Sequence, residues 1–547
     1  MNREISRALL ALMCVLTFSI AASAQVGSYA ITNAKIVTVS GSVIEKGTVV
    51  IRNGLIESVG SSVRVPADAK VLDGEGMTVY PGLIDANSSL GIPPTPPRQQ
   101  GGASSQNNDD ASLSKYPEGL RPEEMVASKL KAGEAQFSNQ RNAGFTTVLT
   151  IEDNGIFNGQ SAVINLAGDS AASMILRSPW AQHVSFRTLR GGEFPTSLMG
   201  TFAALRQMFL DAKRHEKILR MYEEDPRGMK RPDENVSLEA LIPIINGEQA
   251  IVFNVNSERE IVRALDLAKE FGLKAYISGG QEAWKVAGRL KDQDVPVLLS
   301  LDFPKRTLTE HKEAEPEPLD TLRLRANVPK NPSKLKAAGV KFAFHTGELK
   351  NMKEYFANAR QAVENGLSES DAIRAMTLSA AEIFGVEKQT GSVEEGKIAN
   401  LVVVKGDLLD EKSTVSHVFV DGKEFEMPKK PERPASGPGG AAAIGTPANV
   451  AGTWNLTIEP PGQTIGATLV LTQQGGIIEG TLSSDVFPST PIRDGKATPQ
   501  GFTFLVTVSA GGTELDVSFD GRVTGNQVEG TVDTPQGPAV FSGTRTP

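Results

Sequence analysis

The sequence predicts an α/β protein that carries additional all-β parts. Strand-like runs alternate with helical patterns across residues 81–390. Two sets of short strands flank that region, and an all-β pattern fills residues 450–547. Repeated strand–helix units over a region of this length are typical of a (β/α)8 TIM-like barrel, and a doubly wound parallel sheet is the competing architecture.

The flanking strands predict a single β-sandwich built from both ends of the α/β region. The strand-like apolar runs lie at residues 34–39, 47–52, 55–59, 399–404 and 415–420. Asn53-Gly54 is a strong signal for a tight hairpin between two of these runs. We therefore expect residues 25–80 and 391–426 to form a split sandwich beside a barrel domain of residues 81–390.

Within the α/β region, short apolar runs have the composition of buried strands. They occupy residues 146–150, 250–254, 274–277, 295–299 and 341–344. Residues 258–270 have apolar side chains at helical spacing and predict an amphipathic helix. Two inserts interrupt this pattern. Residues 93–110, rich in Pro, Gln and Ser, are interpreted as a loop, and the charge-dense residues 214–233 are interpreted as a solvated helix.

A change of composition separates a C-terminal module from the rest of the chain. Residues 427–449 are rich in Pro, Gly and Ala and predict an interdomain linker. Residues 450–547 alternate apolar and polar side chains, and the pattern of residues 478–482 recurs at 528–532. These features predict a closed antiparallel barrel or a sandwich, with Trp454 in its core.

Composition and the N-terminal segment restrict the possible partners and locations. The 547 residues include 56 Lys and Arg against 64 Asp and Glu, a net charge of -8. This balance argues against nucleic acid or an anionic membrane as the main partner.

Residues 1–24 have the basic start, apolar run and Ala-Ser-Ala end of a signal peptide, so we expect export to the periplasm or secretion. The only cysteine, Cys14, lies in that segment, and no other apolar run is long enough to span a membrane.

One segment carries a family resemblance. Residues 80–91 contain Pro-Gly-Leu-Ile-Asp followed by Ala-Asn-Ser-Ser. This segment resembles the first barrel strand of the amidohydrolase superfamily, and most closely that of its imidazolonepropionase-like exported members. Residues 144–148, 264–300 and 377–403 resemble later parts of the same family in the same order. The resemblance covers about residues 29–425, and it implies the barrel, the split sandwich and metal-dependent hydrolysis of non-peptide C–N bonds.

The residues at the family's metal-ligand positions differ from those that the resemblance implies. Family members hold divalent metal, usually zinc, which lowers the pKa of a bound water. The first-strand histidines correspond to Asn87 and Ser89, the fifth-strand histidine region contains Asn254 and Asn256, and Gly347 replaces the eighth-strand aspartate. Amide and hydroxyl groups are poor zinc ligands. We therefore expect no metal ligands at these positions and no cofactor.

A different catalytic site is conceivable at the same place. His345 and Glu348 lie at the predicted end of the last barrel strand, where barrel active sites form, and Asp85 completes the candidate catalytic set. A histidine and a carboxylate can act as a general acid–base pair without a metal. The favoured interpretation is structural, with His345 packed beneath a loop and Glu348 capping the next helix. His183, which follows Trp180, is expected in a loop over the barrel mouth.

Two functions from different classes follow. The favoured hypothesis is a catalytically degenerate protein that binds a small molecule, or that pairs with an intact amidohydrolase-like subunit in an oligomer. The alternative is an active hydrolase with a non-standard site that uses His345 and Glu348. A weaker hypothesis makes the C-terminal module a docking domain for a surface polymer or a partner.

Overall fold

The chain is described by a computed structural model that divides into two compact units, Met1–Pro428 and Lys429–Pro547. The structure describes residues 27–93, 114–189, 194–305, 317–347, 349, 351–427, 448–459, 465–484, 489–510, 513–534 and 537–546. The expected signal peptide, nearly all of the 93–110 insert, most of the linker and Glu348 therefore lie outside the described residues.

The strands of the first unit are β1 (Tyr29–Ile36), β2 (Ile44–Arg52), β3 (Leu55–Gly60), β4 (Lys70–Asp73), β5 (Met77–Pro81), β6 (Leu83–Ser88), β7 (Phe145–Thr150), β8 (Phe157–Gln160), β9 (Ala162–Asn165), β10 (Ile175–Arg177), β11 (Ala181–Ser185), β12 (Ala250–Val255), β13 (Ala275–Gly279), β14 (Val297–Ser300), β15 (Phe342–His345), β16 (Leu401–Lys405), β17 (Thr414–Val420) and β18 (Lys423–Glu426). Its α-helices are α1 (Val126–Lys129), α2 (Glu134–Asn142), α3 (Ala171–Met174), α4 (Leu198–Glu224), α5 (Val236–Ile245), α6 (Glu258–Phe271), α7 (Ala287–Asp292), α8 (Leu319–Asn327), α9 (Asn331–Ala337), α10 (Met352–Glu364), α11 (Glu369–Ala375) and α12 (Leu378–Phe384). Short 3-10 helices span Ala283–Val286 and Val328–Lys330.

Strands from both ends of the first unit share one sheet. Its order is β18-β17-β16-β5-β1-β2-β3, and β4 pairs with β1. β16, which follows the α/β region, pairs antiparallel with β5, which precedes it. Asn53 (φ 52°) and Gly54 (φ 82°) connect β2 to β3 in the left-handed conformation that a two-residue hairpin favours. The predicted hairpin is confirmed.

Two further sheets form the α/β part of the unit. Their orders are β10-β9-β7-β6 and β15-β14-β13-β12-β11-β8. Strands β11 to β15 run parallel to one another, as do β6 and β7, whereas β8 and β9 pair antiparallel with their neighbours β11 and β7. β6 also lies against β15, and the backbone N–H of Thr346 donates to the carboxylate of Asp85 across this seam at 3.0 Å. The mixed α/β architecture is confirmed.

The helices show how local sequence sets their limits. α6 begins with a capping box, in which Ser257 and Glu260 bond each other's backbone N–H, and ends at Gly272, whose φ is 71°. This agrees with the helix predicted over 258–270.

The charge-dense insert is helical only as far as Glu224, because α4 ends there and Pro226 follows. The expectation of a helix throughout residues 214–233 is therefore wrong for its second half.

The second unit is a closed antiparallel barrel. Its strands are β19 (Gly452–Glu459), β20 (Ile465–Gln474), β21 (Ile477–Ser484), β22 (Thr490–Thr498), β23 (Gly501–Ala510), β24 (Thr513–Thr524), β25 (Gln527–Thr534) and β26 (Gly537–Arg545). Each pairs with the next, and β26 pairs with β19, so the predicted barrel is confirmed and the alternative sandwich is wrong. Trp454 is buried as expected and donates its indole N–H to the carbonyl of Val450 at 3.0 Å.

The internal repeat corresponds to β21 and β25. Gly480 and Gly530 occupy equivalent places in the two strands, where a Cβ would collide with the carbonyl oxygen of Val470 or Asp520 on the preceding strand. Each repeat therefore keeps a glycine where two backbones approach closely.

Across the parts of the chain that the structure describes, no helix combines the length and apolar character that a transmembrane span needs.

Candidate functional site

A cavity of about 730 Å³ opens at the carboxyl ends of the parallel strands. In sheets of this kind, ligands bind at that edge, because the loops and last side chains of several strands meet there. The strand-end residues that line the cavity are Asn87, Ser88, Ser89, Ser185, Asn254, Asn256, Ser278, Gly279, Ser300, His345, Thr346 and Gly347. The structure therefore brings together all five predicted ligand-position residues with His345. Glu348 is outside the described residues, and Asp85 does not line the cavity.

Asp85 lies behind the cavity wall and is fully buried in β6. Its carboxylate accepts hydrogen bonds from the backbone N–H of Thr346 (3.0 Å), the Thr346 hydroxyl (2.7 Å) and the backbone N–H of Asn87 (3.3 Å). Burial raises the pKa of Asp85 to about 6, although these hydrogen bonds oppose the shift. Because its oxygens are engaged in joining β6 to the end of β15, Asp85 holds the strand ends in place and does not face a ligand.

The predicted ligand positions carry neutral groups that bond to one another. Nδ2 of Asn87 donates to Oγ of Ser278 at 2.8 Å. Nδ2 of Asn254 donates to Oδ1 of Asn158 (3.0 Å) and to Oγ of Ser185 (3.2 Å), and Ser185 donates to the same Asn158 oxygen. Oδ1 of Asn254 is buried, and a hydrogen bond between the Asn254 and His183 side chains opposes the lowering of the His183 pKa by burial. The Asn254 amide is thus held inside the wall of the cavity.

His345 is held in one tautomer by the turn that follows β15. The backbone N–H of Gly347 donates to Nδ1 of His345 at 2.9 Å, so Nδ1 must be unprotonated and the proton of the neutral ring lies on Nε2. Nε2 is buried and has no surface accessible from the cavity. Burial lowers the pKa of His345 to about 4, against a weaker opposing effect of the Leu298 carbonyl. At neutral pH His345 is therefore a neutral N–H donor.

Gly347 cannot carry a ligand side chain in this backbone conformation. Its φ is 64°, and a Cβ there would lie 2.6 Å from Oγ of Ser300 and 3.1 Å from Cβ of Asp302. Left-handed backbone of this kind strains any residue with a Cβ. An aspartate at this position, which the sequence resemblance implies, would therefore require the turn after β15 to change.

His183 lies in β11, and the expected loop position is wrong. It is fully buried opposite Val252 of β12, its Nε2 is 3.0 Å from Oγ of Ser161, and it is not among the residues that line the cavity. Burial lowers its pKa to about 3, with Asn254 opposing the shift. Of the remaining histidines, His215 pairs with Glu239 and is mostly buried, while His417 lies in β17. His311 is outside the described residues.

Charged side chains occur at the rim of the cavity. Arg187 and Asp153 form an ion pair, and Glu260 accepts from the backbone N–H of Ser257 in the capping box of α6. Asp302 also lines the cavity. Among the described lining residues there are thus three carboxylates and one guanidinium.

Sequence reasoning missed several residues of the site. Ser185, Ser278 and Ser300 lie at or next to the last residue of β11, β13 and β14, and Asn158 lies in the edge strand β8. Three of these four are serines at the carboxyl end of an apolar run. That position in the sequence could have indicated that they lie at the strand-end cavity. Asn158 gave no signal, because nothing in its local sequence indicates contact with β12.

The described lining residues do not suit a divalent metal. No three His, Cys, Asp or Glu side chains within the described ranges are grouped so that they could hold one ion. A metal-bound histidine uses its unprotonated nitrogen and donates its other N–H to a carbonyl or carboxylate. In His345 the unprotonated nitrogen is already occupied by the N–H of Gly347, and the other nitrogen carries the proton. The described lining residues therefore offer no set of ligands for a metal-bound water.

A known protein family matches the segment of the chain that contains the end of β15. Residues 302–425 match the amidohydrolase family. This segment contains His345, Gly347 and the strands β16 and β17 that return to the first sheet. Curated protein sequences give no significant match to the chain.

One of the similar solved structures shows the same fold. A crystal structure of an amidohydrolase from Thermotoga maritima MSB8 has a TM-score of 0.60 and 23% identity, covering 73% of this chain and 100% of its own. A prolidase complexed with N-methylphosphonate-L-proline and a Xaa-Pro dipeptidase with bound methionine have TM-scores of 0.44 and 0.43, with 18% and 17% identity. Both cover 73% of this chain, and 99% and 100% of their own lengths. The conclusion on fold rests on the Thermotoga structure.

Proposed function

We propose that this protein is an amidohydrolase-like binding protein, in which the strand-end cavity takes up a small polar molecule and does not perform metal-dependent hydrolysis. Its ligand positions are degenerate forms of those in imidazolonepropionase-like members of the superfamily. The observation that carries the proposal is the hydrogen bond from Gly347 N–H to His345 Nδ1. It assigns the only histidine among the described lining residues to the tautomer that donates a proton and cannot ligate through Nε2.

We interpret the α/β part as a (β/α)8-type barrel. The seam between β6 and β15 and the parallel run from β11 to β15 support this interpretation. Side chains from several of these strands also share one buried apolar cluster beneath the cavity, including Ile84, Ala86, Val252, Tyr276, Leu298 and Ala343. A packed interior with a polar mouth at the carboxyl ends is the arrangement in which barrel proteins place ligands.

The alternative is a hydrolase with a non-standard site. The position of His345 favours it, because this histidine is among the residues that line the cavity. A histidine with a pKa of about 4 is, however, a weak base at neutral pH and would serve there as a hydrogen-bond donor. We propose His345 as a contact residue, with export and association with an amidohydrolase-like subunit as further proposals from the sequence.

Metal loading tests the proposal. The purified full chain is incubated with Zn²⁺, Mn²⁺, Fe²⁺ or Ni²⁺ and desalted, and bound metal per chain is measured by elemental analysis. We expect far less than one metal per chain, with no difference between the wild type and H345Q. The variant H215Q is the matched control, because His215 lies outside the cavity and reports adventitious binding. One metal per chain that is lost in H345Q but kept in H215Q would contradict the proposal.

A further inference from the structure

We propose that the ligand of the strand-end cavity is an uncharged, hydroxyl-rich molecule of the size of a mono- or disaccharide. This inference rests on the proposed binding function and adds the chemical class of the ligand. It follows from three independent properties of the cavity: the hydrogen-bonding groups of its wall, the charges at its rim and one aromatic ring.

The wall offers donors and acceptors side by side. Asn256 contributes an amide and Ser89 a hydroxyl, and both line the cavity with exposed side chains. Oγ of Ser278 accepts from Asn87, which leaves the hydroxyl proton of Ser278 available. A hydroxyl group both donates and accepts, so adjacent hydroxyls on a ring match such a mixed set. A carboxylate or phosphate only accepts and would not donate to the amide oxygen of Asn256.

The rim disfavours anions. Arg187, the only cation among the described lining residues, is already paired with Asp153. Glu260 and Asp302 add negative charge at the same opening. An anionic ligand would approach a net negative surface, and this electrostatic cost does not arise for a neutral one.

Phe186 supplies an apolar surface among these polar groups. It lines the cavity, and its ring packs against Phe202 (4.5 Å between centroids) and Phe253 (5.7 Å). A fixed aromatic ring beside amide and hydroxyl groups can cover the C–H face of a sugar ring while its hydroxyls bond to the wall. The volume of about 730 Å³ is within the range of small-molecule sites.

Calorimetry with charge-matched probes tests the inference. The full chain is titrated with a panel of neutral mono- and disaccharides that spans the common pyranose stereochemistries, with the uronic acid and sugar phosphate of each binder, and with neutral cyclic amides. We expect at least one neutral sugar to bind, its anionic counterparts to bind at least tenfold more weakly, and N256A and F186A each to weaken binding about tenfold. N455A, an exposed asparagine of the C-terminal barrel, is the control and should bind normally.

Each other outcome has a defined meaning. Binding of cyclic amides without any sugar would overturn the ligand class while leaving the binding function intact. Preference for the anionic probes would overturn it as well, as would the absence of binding by every sugar in the panel. Sugar binding that N256A and F186A leave unchanged would move the ligand to another site and overturn the inference. Failure of the proposed function itself would appear separately, as stoichiometric metal in the loading experiment.

Discussion

The interior of the C-terminal barrel and the strand-end cavity are both surrounded by strands, but they are filled in opposite ways. In the barrel, Phe502, Phe504, Phe519 and Phe541 contact one another with ring centroids 4.9–6.5 Å apart. The cavity wall instead carries amide and hydroxyl groups at the ends of several strands. Apolar contacts stabilise the fold without any outside partner, whereas accessible amides and hydroxyls exchange hydrogen bonds with water or with a ligand. The cavity is therefore suited to bind a polar molecule, and the filled barrel interior is not.

The largest expected effect lies in the barrel. F504A removes a buried ring from the aromatic cluster and should lower the free energy of unfolding of that unit by about 3–5 kcal/mol. The matched control is Leu505, which follows Phe504 in β23 and is only partly buried. L505A should lower the same free energy of unfolding by about 1 kcal/mol. Hydrogen exchange of β23 peptides in urea measures both. Weaker sugar binding by F504A would show that the strand-end cavity depends on the interior of the C-terminal barrel, contrary to the comparison.

The next effect concerns Asp85, which is buried and polar like the cavity but fully bonded. D85A leaves the backbone N–H and hydroxyl of Thr346 and the N–H of Asn87 without their acceptor, and we expect a loss of about 3 kcal/mol in the unfolding of the first unit. D153A, which removes an exposed carboxylate of the rim, should cost less than about 1 kcal/mol. Equal costs in urea unfolding would show that the seam between β6 and β15 does not depend on Asp85.

The pH dependence of stability should reveal His345. Its folded pKa of about 4 lies below the unfolded value of 6.5, so protonation favours the unfolded chain and stability is lost as the pH falls from 6.5 to 4. Asp85 acts in the opposite direction, because its pKa is raised from 3.8 to about 6 and its protonation adds stability as the pH falls through that window. H345N keeps an acceptor for the Gly347 N–H. Between pH 7 and pH 5 its free energy of unfolding should therefore fall by about 2 kcal/mol less than that of the wild type.

That difference is measured by urea unfolding at both pH values. The acid sensitivity of H345N should not disappear, because His183 has a similarly lowered pKa and remains in place. An identical loss in H345N and the wild type would mean that His345 is protonated equally easily in the folded and unfolded chains, and the neutral donor would have to be abandoned.

The smallest effect compares two glycines with left-handed backbone. G347A combines strain at φ 64° with a contact to Ser300 Oγ, whereas G396A has strain at φ 85° and nothing within 4 Å. We expect backbone strain to destabilise both variants by about 1 kcal/mol. The contact with Ser300 should destabilise G347A by about 1 kcal/mol more. Thermal unfolding of the two variants measures the difference, and equal shifts would show that the turn at Gly347 adapts to a side chain.

Much of the fold could be predicted from local pattern, and part of the site could not. The Pro-Gly-Leu-Ile-Asp segment fixed the register of Asn87 and Ser89, and both line the cavity. His183 was misplaced, because three of the five residues of its strand are polar and the strand follows Ser178-Pro179, which resembles the start of a loop. The tautomer of His345 depends on the backbone turn at Gly347, a three-dimensional feature that residue types alone do not encode.

The most direct test of the account is the protonation of the His345 ring. Nitrogen NMR of the full chain labelled with ¹⁵N-histidine, with the signal assigned by its loss in H345Q, distinguishes the two ring nitrogens. We predict that at neutral pH Nε2 carries the proton, seen by its one-bond coupling, and that Nδ1 has the shift of an unprotonated nitrogen that accepts a hydrogen bond. A protonated Nδ1 with a free lone pair on Nε2 would contradict the account, because it would make His345 available as a base or a metal ligand.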